Sequence, residues 1–376
     1  MLSRMRPTEI VAFDAAPIDL PLIRPFVIAT GRQPRAHNVL VRVRLSDGTT
    51  GLGEAAPVPH ISGETVESTL AVIERIGEHV VGHDSRSWRA IAATLLEHEP
   101  KAAAARCAVE MAVLDALARH HRMPLWSLCG GVGTELQTDI TVVAGTIEEA
   151  RTRAAAFATE GYRTLKVKVG GPGGGDPDFD IERMRAIHEA APHARLVADA
   201  NGAYGVDTAT AFLDGLARVG VPLALFEQPV ARDDVDGWDE LSRRTSALLC
   251  ADESARDARD VLELVARGNV GAINIKLMKC GFAEAMAMWQ IARTAGLTLM
   301  IGGMVESIVA MSASAALGAG LGGFAFVDLD TPPLITEHPF AGGYRQHADV
   351  LDLAHIESGH GVVLAGADPF GEEETT

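Results

Sequence analysis

The chain has 376 residues, 47% of them apolar, which allows a large core and about two domains. A net charge of −17 argues against nucleic acid or an anionic membrane surface as partner. Cys107, Cys129, Cys250 and Cys280 have no paired spacing, so neither a disulfide framework nor a zinc site is indicated, and a reducing, cytoplasmic setting is expected.

Residues 1–10 carry arginines but no apolar segment of a signal peptide. Residues 8 to about 57 read as β: Thr8–Ile18, Leu20–Ala29, a loop from Thr30 to His37, then Asn38–Leu45. Ser46-Asp-Gly-Thr49 is hairpin chemistry that returns the chain through Thr50–Glu54. The loop at 30–37 lacks an apolar period and is long enough for a flap; Pro57–Gly63 makes a second loop. Helical patterns follow over Glu64–His79, Ser87–Glu97 and Lys101–His121. The first part, 1–135, is therefore α+β.

From about Asp139 the pattern changes. Short apolar runs at Thr138–Val143, Thr164–Val169, Leu196–Asp199, Ala224–Glu227, Leu248–Asp252, Ala272–Lys276, Leu297–Gly302 and Phe324–Asp328 alternate with amphipathic helical stretches. Eight strands in strict alternation with seven helices predict a closed parallel β/α barrel over 136–335. An open doubly wound sheet is the rival, but no G-x-G-x-x-G opens the first unit. The apolar tract Leu297–Val327 holds Glu306 and two glycine pairs, which suits a buried strand–helix–strand unit better than a membrane span. Residues 336–376 form a Pro/Gly-rich tail expected to return to the first domain.

The organising stretch is Thr164-Leu-Lys-Val-Lys-Val-Gly170. Its alternation places Lys166 and Lys168 on one strand face, where mutual repulsion favours loss of a proton from one of them. A neutral lysine is a general base. The bland alternative is a charged edge strand. The next strands end in Asp199-Ala-Asn-Gly202, Phe226-Glu-Gln-Pro229 and Ala251-Asp-Glu-Ser254. In such a barrel catalytic groups sit at the C-terminal strand ends. Asp199, Glu227 and Asp252 would then bring three carboxylates together, which a hard divalent cation such as Mg²⁺ neutralises; each could instead cap its following helix. Lys276 ends the sixth strand, across the mouth from Lys168. Two bases flanking a metal-held carboxylate suit removal of an α-proton on one face and its return on the other.

These motifs, with Ile273-Asn-Ile-Lys-Leu-Met-Lys-Cys-Gly281, resemble the enolase superfamily and, more narrowly, its muconate-lactonizing branch, over nearly the whole chain. The resemblance implies a (β/α)₇β barrel with an α+β capping domain built from both chain ends. It also implies Mg²⁺, an enediolate intermediate, and Lys168 and Lys276 as acid/bases, with Lys166 assisting the substrate carboxylate. The branch holds cycloisomerases, o-succinylbenzoate synthases, N-succinylamino acid racemases and dipeptide epimerases. Asp328-Leu-Asp330 looks like the pair that holds a free α-ammonium group in dipeptide epimerases, although Asp-Thr-Pro is also turn chemistry. Arg24 would grip a side-chain carboxylate of the substrate, as in the Ala–Glu epimerases it resembles, the alternative being a plain surface arginine; His60 is a weaker candidate. Phe282, where the branch has a glycine, and His360 depart from the pattern. The expectation is a Mg²⁺-dependent epimerase of the C-terminal residue of an L,L-dipeptide, a cytoplasmic homo-oligomer with a small-molecule substrate. The alternatives are the racemase, synthase and cycloisomerase activities, or a non-catalytic barrel, which would be expected to have lost one of the six charged residues.

Overall fold

The computed structural model describes residues 6–28, 31–143, 145–171 and 175–371; the side chains of 24–28, 31, 32 and 60 lie outside that description. Strands β1 (Ile10–Ile28), β2 (Gly31–Leu45) and β3 (Thr50–Ala55) form an antiparallel sheet. Of the expected loop at 30–37, residues 31–37 are strand, and residue 30 lies outside the described residues. β1 and β2 make one long hairpin, paired from Ile18↔Asn38 out to Ile28↔Gly31. The register shifts between Pro21 and Phe26, opposite Pro34, and bulges are where strands accommodate proline. Arg35 donates to Asp19 across the pair at 2.7 Å.

Helices Val66–Gly77, Trp88–His98 and Ala103–His120 pack behind this sheet. Thr65 and Ser68 form a reciprocal capping box at the start of the first. The third is buried on nearly every side, and its small residues let β3 approach closely. A Cβ on Gly51 or Gly53 would collide with the carbonyls of Ala112 and Ala108, so only glycine fits there.

After β4 (Glu135–Gln137) comes the barrel: β5 (Ile140–Val142), β6 (Thr164–Lys168), β7 (Arg195–Asp199), β8 (Leu225–Glu227), β9 (Leu249–Ala251), β10 (Ala272–Lys276), β11 (Thr298–Gly302) and β12 (Phe324–Asp328). Neighbours pair in parallel in chain order. Side-chain and single backbone bonds span the seam between β12 and β5. Asp139 N donates to Val327 O at 2.7 Å, Leu329 N to Thr138 Oγ1 at 2.9 Å, and Thr141 N to Asp330 Oδ2 at 2.7 Å. The apolar tract 297–327 resolves into β11, helix Ile308–Leu321 and β12. Among the described residues no helix is long and apolar enough to cross a membrane.

The tail contributes β13 (Phe340–Gly342), β14 (Arg345–His347), β15 (Val350–Asp352) and β16 (Val362–Leu364). β15 pairs with β4. His360 Nε2 meets Leu52 O at 3.0 Å, and Arg42 pairs with Asp368 at 2.9 Å, so the tail touches the N-terminal sheet. The departure at His360 therefore serves packing. Cap and barrel are also joined through Glu54. Its buried carboxylate accepts from Ser307 Oγ at 2.5 Å, Ser307 N at 2.9 Å and Ala310 N at 3.1 Å, at the start of helix 308–321.

Candidate active site

Period-two alternation builds the site. Val197, Leu225, Cys250, Ala272, Met300 and Phe326 point inward and pack as a plug inside the barrel. Two residues further along each strand, the next layer up holds Asp199, Glu227, Asp252, Asn274, Gly302 and Asp328. Lys168 pairs in register with Asp199, and Asp199 with Glu227, so charged groups from neighbouring strands meet at one level.

The predicted residues converge, with one exception. Lys168 Nζ lies 2.6 Å from Asp199 Oδ2, and Lys276 Nζ 2.9 Å from Asp252 Oδ2. Lys166 is fully buried, which excludes the edge-strand reading, and its ammonium sits 2.6 Å from Asp328, 2.8 Å from Glu227 and 3.2 Å from Asp199. Lys168, Lys276, Asp328 and Asp330 line one cavity of ≈60 Å³ with Thr141 and Asn201. The exception is Arg24, whose side chain, like that of His60, lies outside the described residues. Phe282 is buried at the start of helix Phe282–Thr294 and does not line this cavity.

The donor set fits a hard divalent cation. Asp199, Glu227 and Asp252 are buried on consecutive strand ends with no sulfur or imidazole among them. Each is held by neighbours. Asn274 Nδ2 donates to Glu227 Oε1 at 2.7 Å, Asn201 N to Asp199 Oδ1 at 2.9 Å, and Gln228 Oε1 accepts from Asp252 N at 3.0 Å. Asn201 and Gln228 adopt positive φ, 45° and 35°, which turns the chain sharply after two of the ligand strands. Glu227 Oε2 is buried and accepts no well-aligned hydrogen bond; its contact with Lys166 is an ion pair of poor hydrogen-bond geometry. An oxygen so placed is suited to a metal.

Sequence reading missed Asp139. It is buried, and one oxygen each from Asp139, Asp328 and Asp330 lie within 4.8 Å of one another, close enough to share a cation. Around the mouth, among the described residues, the buried acids Asp139, Asp199, Glu227, Asp252, Glu306, Asp328 and Asp330 outnumber the buried lysines Lys166, Lys168, Lys276 and Lys279. The excess is negative. Burial, then Asp199, pushes Glu227 up to about 7; burial, then Asp328, pushes Asp330 to about 6. Burial also lifts Asp139, with Asp328 and Asp330 adding to it. Burial opposes ionisation of Asp199, but Lys168 and Lys166 prevail and hold it at about 2. Burial likewise opposes the charge on Lys276, but Asp252, Glu227 and Asp328 together outweigh it and raise the lysine. A divalent cation among the carboxylates would reverse that pull and free the lysine to act as a base.

A second, larger cleft of ≈700 Å³ lies between cap and barrel, lined by Val58, Ile61, Met278, Lys279, Arg256 and Met304 among others. Val58, Ile61 and Met304 also line the small cavity, so the two adjoin.

Residues 14–130 match the family described as mandelate racemase / muconate lactonizing enzyme, N-terminal domain, and residues 148–368 match the enolase C-terminal domain-like family. The chain is 52% identical over 359 residues to an aromatic dipeptide epimerase of Herpetosiphon aurantiacus, covering 96% of this chain and all of that one. It is 35% identical to an L-Ala-D/L-Glu epimerase of Thermotoga maritima, over 86% of this chain and 92% of the relative. A dipeptide epimerase of Enterococcus faecalis, solved with Mg and L-Leu-L-Tyr, superposes with a TM-score of 0.90 at 34% identity, over 94% of this chain and 99% of that one. The chain belongs to the mandelate racemase/muconate lactonizing enzyme family of the enolase superfamily.

Proposed function

We propose that the protein is a Mg²⁺-dependent dipeptide epimerase that inverts the α-carbon of the C-terminal residue. The observation that carries this reading is the single cavity shared by Lys168, Lys276, Asp328 and Asp330, beside the Asp199, Glu227 and Asp252 carboxylates. Held by those three, Mg²⁺ would supply positive charge to the substrate's C-terminal carboxylate as the α-proton leaves. Asp328 and Asp330 take the free α-ammonium group at the other end. A ligand anchored at both ends presents its second α-carbon between the two lysines. One lysine removes the proton and the other returns one to the opposite face. Lys166, bridging both carboxylate sets, keeps Asp328 oriented toward the mouth.

The relatives named above support the reaction class. The wide cleft beyond Val58, Ile61 and Met304 supports a large C-terminal side chain, in keeping with the aromatic dipeptides named for the Herpetosiphon relative. An N-succinylamino acid would set its distal carboxylate against two aspartates, a like-charge contact costing several kcal/mol. The test is chiral chromatography after incubation with L-Ala-L-Phe and Mg²⁺, with N-succinyl-L-Phe alongside. L-Ala-D-Phe should form. Turnover of the succinylated amino acid alone would replace this reading with a racemase.

A further inference from the structure

Lys279 has no part in the reaction as proposed, yet it is buried beside the site. It lies on the helical turn Leu277–Cys280 that follows β10 directly, and this turn aims it back over the barrel toward β9. Its ammonium donates to Asp252 Oδ1 at 2.5 Å, to Asp252 O at 2.6 Å and to Asn274 O at 2.9 Å. Three donors meet three acceptors, so no N–H is left for a substrate. Lys276 grips the other oxygen of the same carboxylate at 2.9 Å. Two lysines three residues apart thus hold Asp252 from both sides, Lys276 from the small cavity and Lys279 from the adjoining cleft.

We infer that Lys279 is a positioning residue: it commits Asp252 Oδ1 away from the mouth, so that a single oxygen, Oδ2, is left for the metal and for Lys276. The inference rests on the epimerase reading for its kinetic consequence, but its consequence for cation binding stands without it. Without Lys279 the carboxylate is free to turn and present both oxygens, and two main-chain carbonyls lose their donor. Groups that orient a metal ligand from behind are worth about 10- to 100-fold in affinity or activity. Damage should also be lopsided, because Asp252 touches Lys276 whereas Lys168 is paired with Asp199.

The test uses Lys279→Met, with Lys279→Arg as the charge-retaining variant, both checked for folding by thermal denaturation. Binding of Mn²⁺, a paramagnetic stand-in for Mg²⁺, is titrated by electron paramagnetic resonance. α-Proton exchange in D₂O is measured from each epimer of the dipeptide, with Lys276→Ala identifying the epimer served by Lys276. Lys279→Met should bind one Mn²⁺ at least tenfold more weakly and lose exchange on the Lys276 side at least tenfold more than on the Lys168 side. Lys279→Arg should recover part of both. Equal loss on both sides with unchanged Mn²⁺ affinity would overturn the inference in favour of a purely structural role. Should Lys279→Met fail to fold, Lys279→Arg decides by the same two ratios. Should the wild type exchange neither epimer, the epimerase reading fails and the Mn²⁺ titration alone decides for Lys279.

Discussion

The ammonium of Lys166 lies 2.6 Å from Asp328 Oδ2, and this contact ties the second barrel strand to the eighth across the middle of the site. The same ammonium faces Glu227 and Asp199. One buried lysine therefore separates the carboxylates assigned to the metal from those assigned to the substrate ammonium. Replacing it with Met leaves at least three buried carboxylates without their shared cation, a loss of about 3–5 kcal/mol by analogy with broken buried pairs. Lys166→Met should melt lower than wild type, and Mg²⁺ should raise its melting temperature by more than it raises that of the wild type. An equal Mg²⁺ increment in both proteins would contradict the proposed placement.

The two bases predict separable half-reactions. Lys168→Ala and Lys276→Ala should each abolish net epimerisation, with losses of roughly 10²–10⁴-fold. Each should still exchange the α-proton of one epimer with solvent, and the two variants should retain opposite epimers. Nuclear magnetic resonance of the dipeptide in D₂O reads this directly, and retention of the same epimer by both would argue for a single base.

Asp328 and Asp330 carry different burdens. Asp330 Oδ2 also accepts from Thr141 N at the barrel seam, whereas the Asp328 carboxylate accepts, among the described residues, from the Lys166 side chain. Asp330→Ala should therefore lose about 1–3 kcal/mol of stability for the stranded backbone donor. Asp330→Asn keeps an acceptor there and should fold nearly as well, while raising KM for a dipeptide on the order of 30-fold or more. N-acetylation of the dipeptide should weaken wild-type binding and leave little further effect of the Asn substitution. Urea unfolding and steady-state kinetics separate the two roles.

Glu110 provides a pH test away from the site. It sits on the cap helix, buried, and accepts from Ala283 N at 3.0 Å on the barrel. Burial raises its pKa from the ordinary 4.5 to about 7. Between those values the folded state binds more protons than the unfolded one, so stability falls as pH rises. The contribution is complete below pH 4.5 and lost above pH 7, with an upper bound of about 3 kcal/mol. Glu110→Gln should flatten this part of the stability–pH curve and be the more stable protein at pH 8. A wild-type curve with no decline in that window relative to the variant would contradict the assignment.

The barrel was legible because strands buried on both faces read as short apolar runs, and because polar residues repeat at their ends. All eight strand positions emerge in the structure within a few residues of the expected bounds. The hairpin arm was not legible: Thr30–His37 lacks the alternation that a half-buried strand shows, and backbone pairing needs no such pattern. Asp139 was missed for a different reason. It precedes β5, where a barrel residue is expected to be structural. Closing a barrel staggers its strands, and at the seam the start of β5 comes level with the end of β12. That juxtaposition leaves no trace in local sequence. Lys279 stood in view within the Ile273–Gly281 motif, but its role needs the direction of the turn after β10.

The most direct test of the central claim is mass spectrometry of L-Ala-L-Phe incubated with the wild-type protein in D₂O, with Mg²⁺ or with excess chelator. The account predicts one deuterium at the α-carbon of the C-terminal residue of the D-epimer formed, and none at the N-terminal residue. It also predicts that chelation stops the exchange. Deuterium at the N-terminal α-carbon, undiminished exchange in chelator, or none with any L,L-dipeptide tested would contradict it.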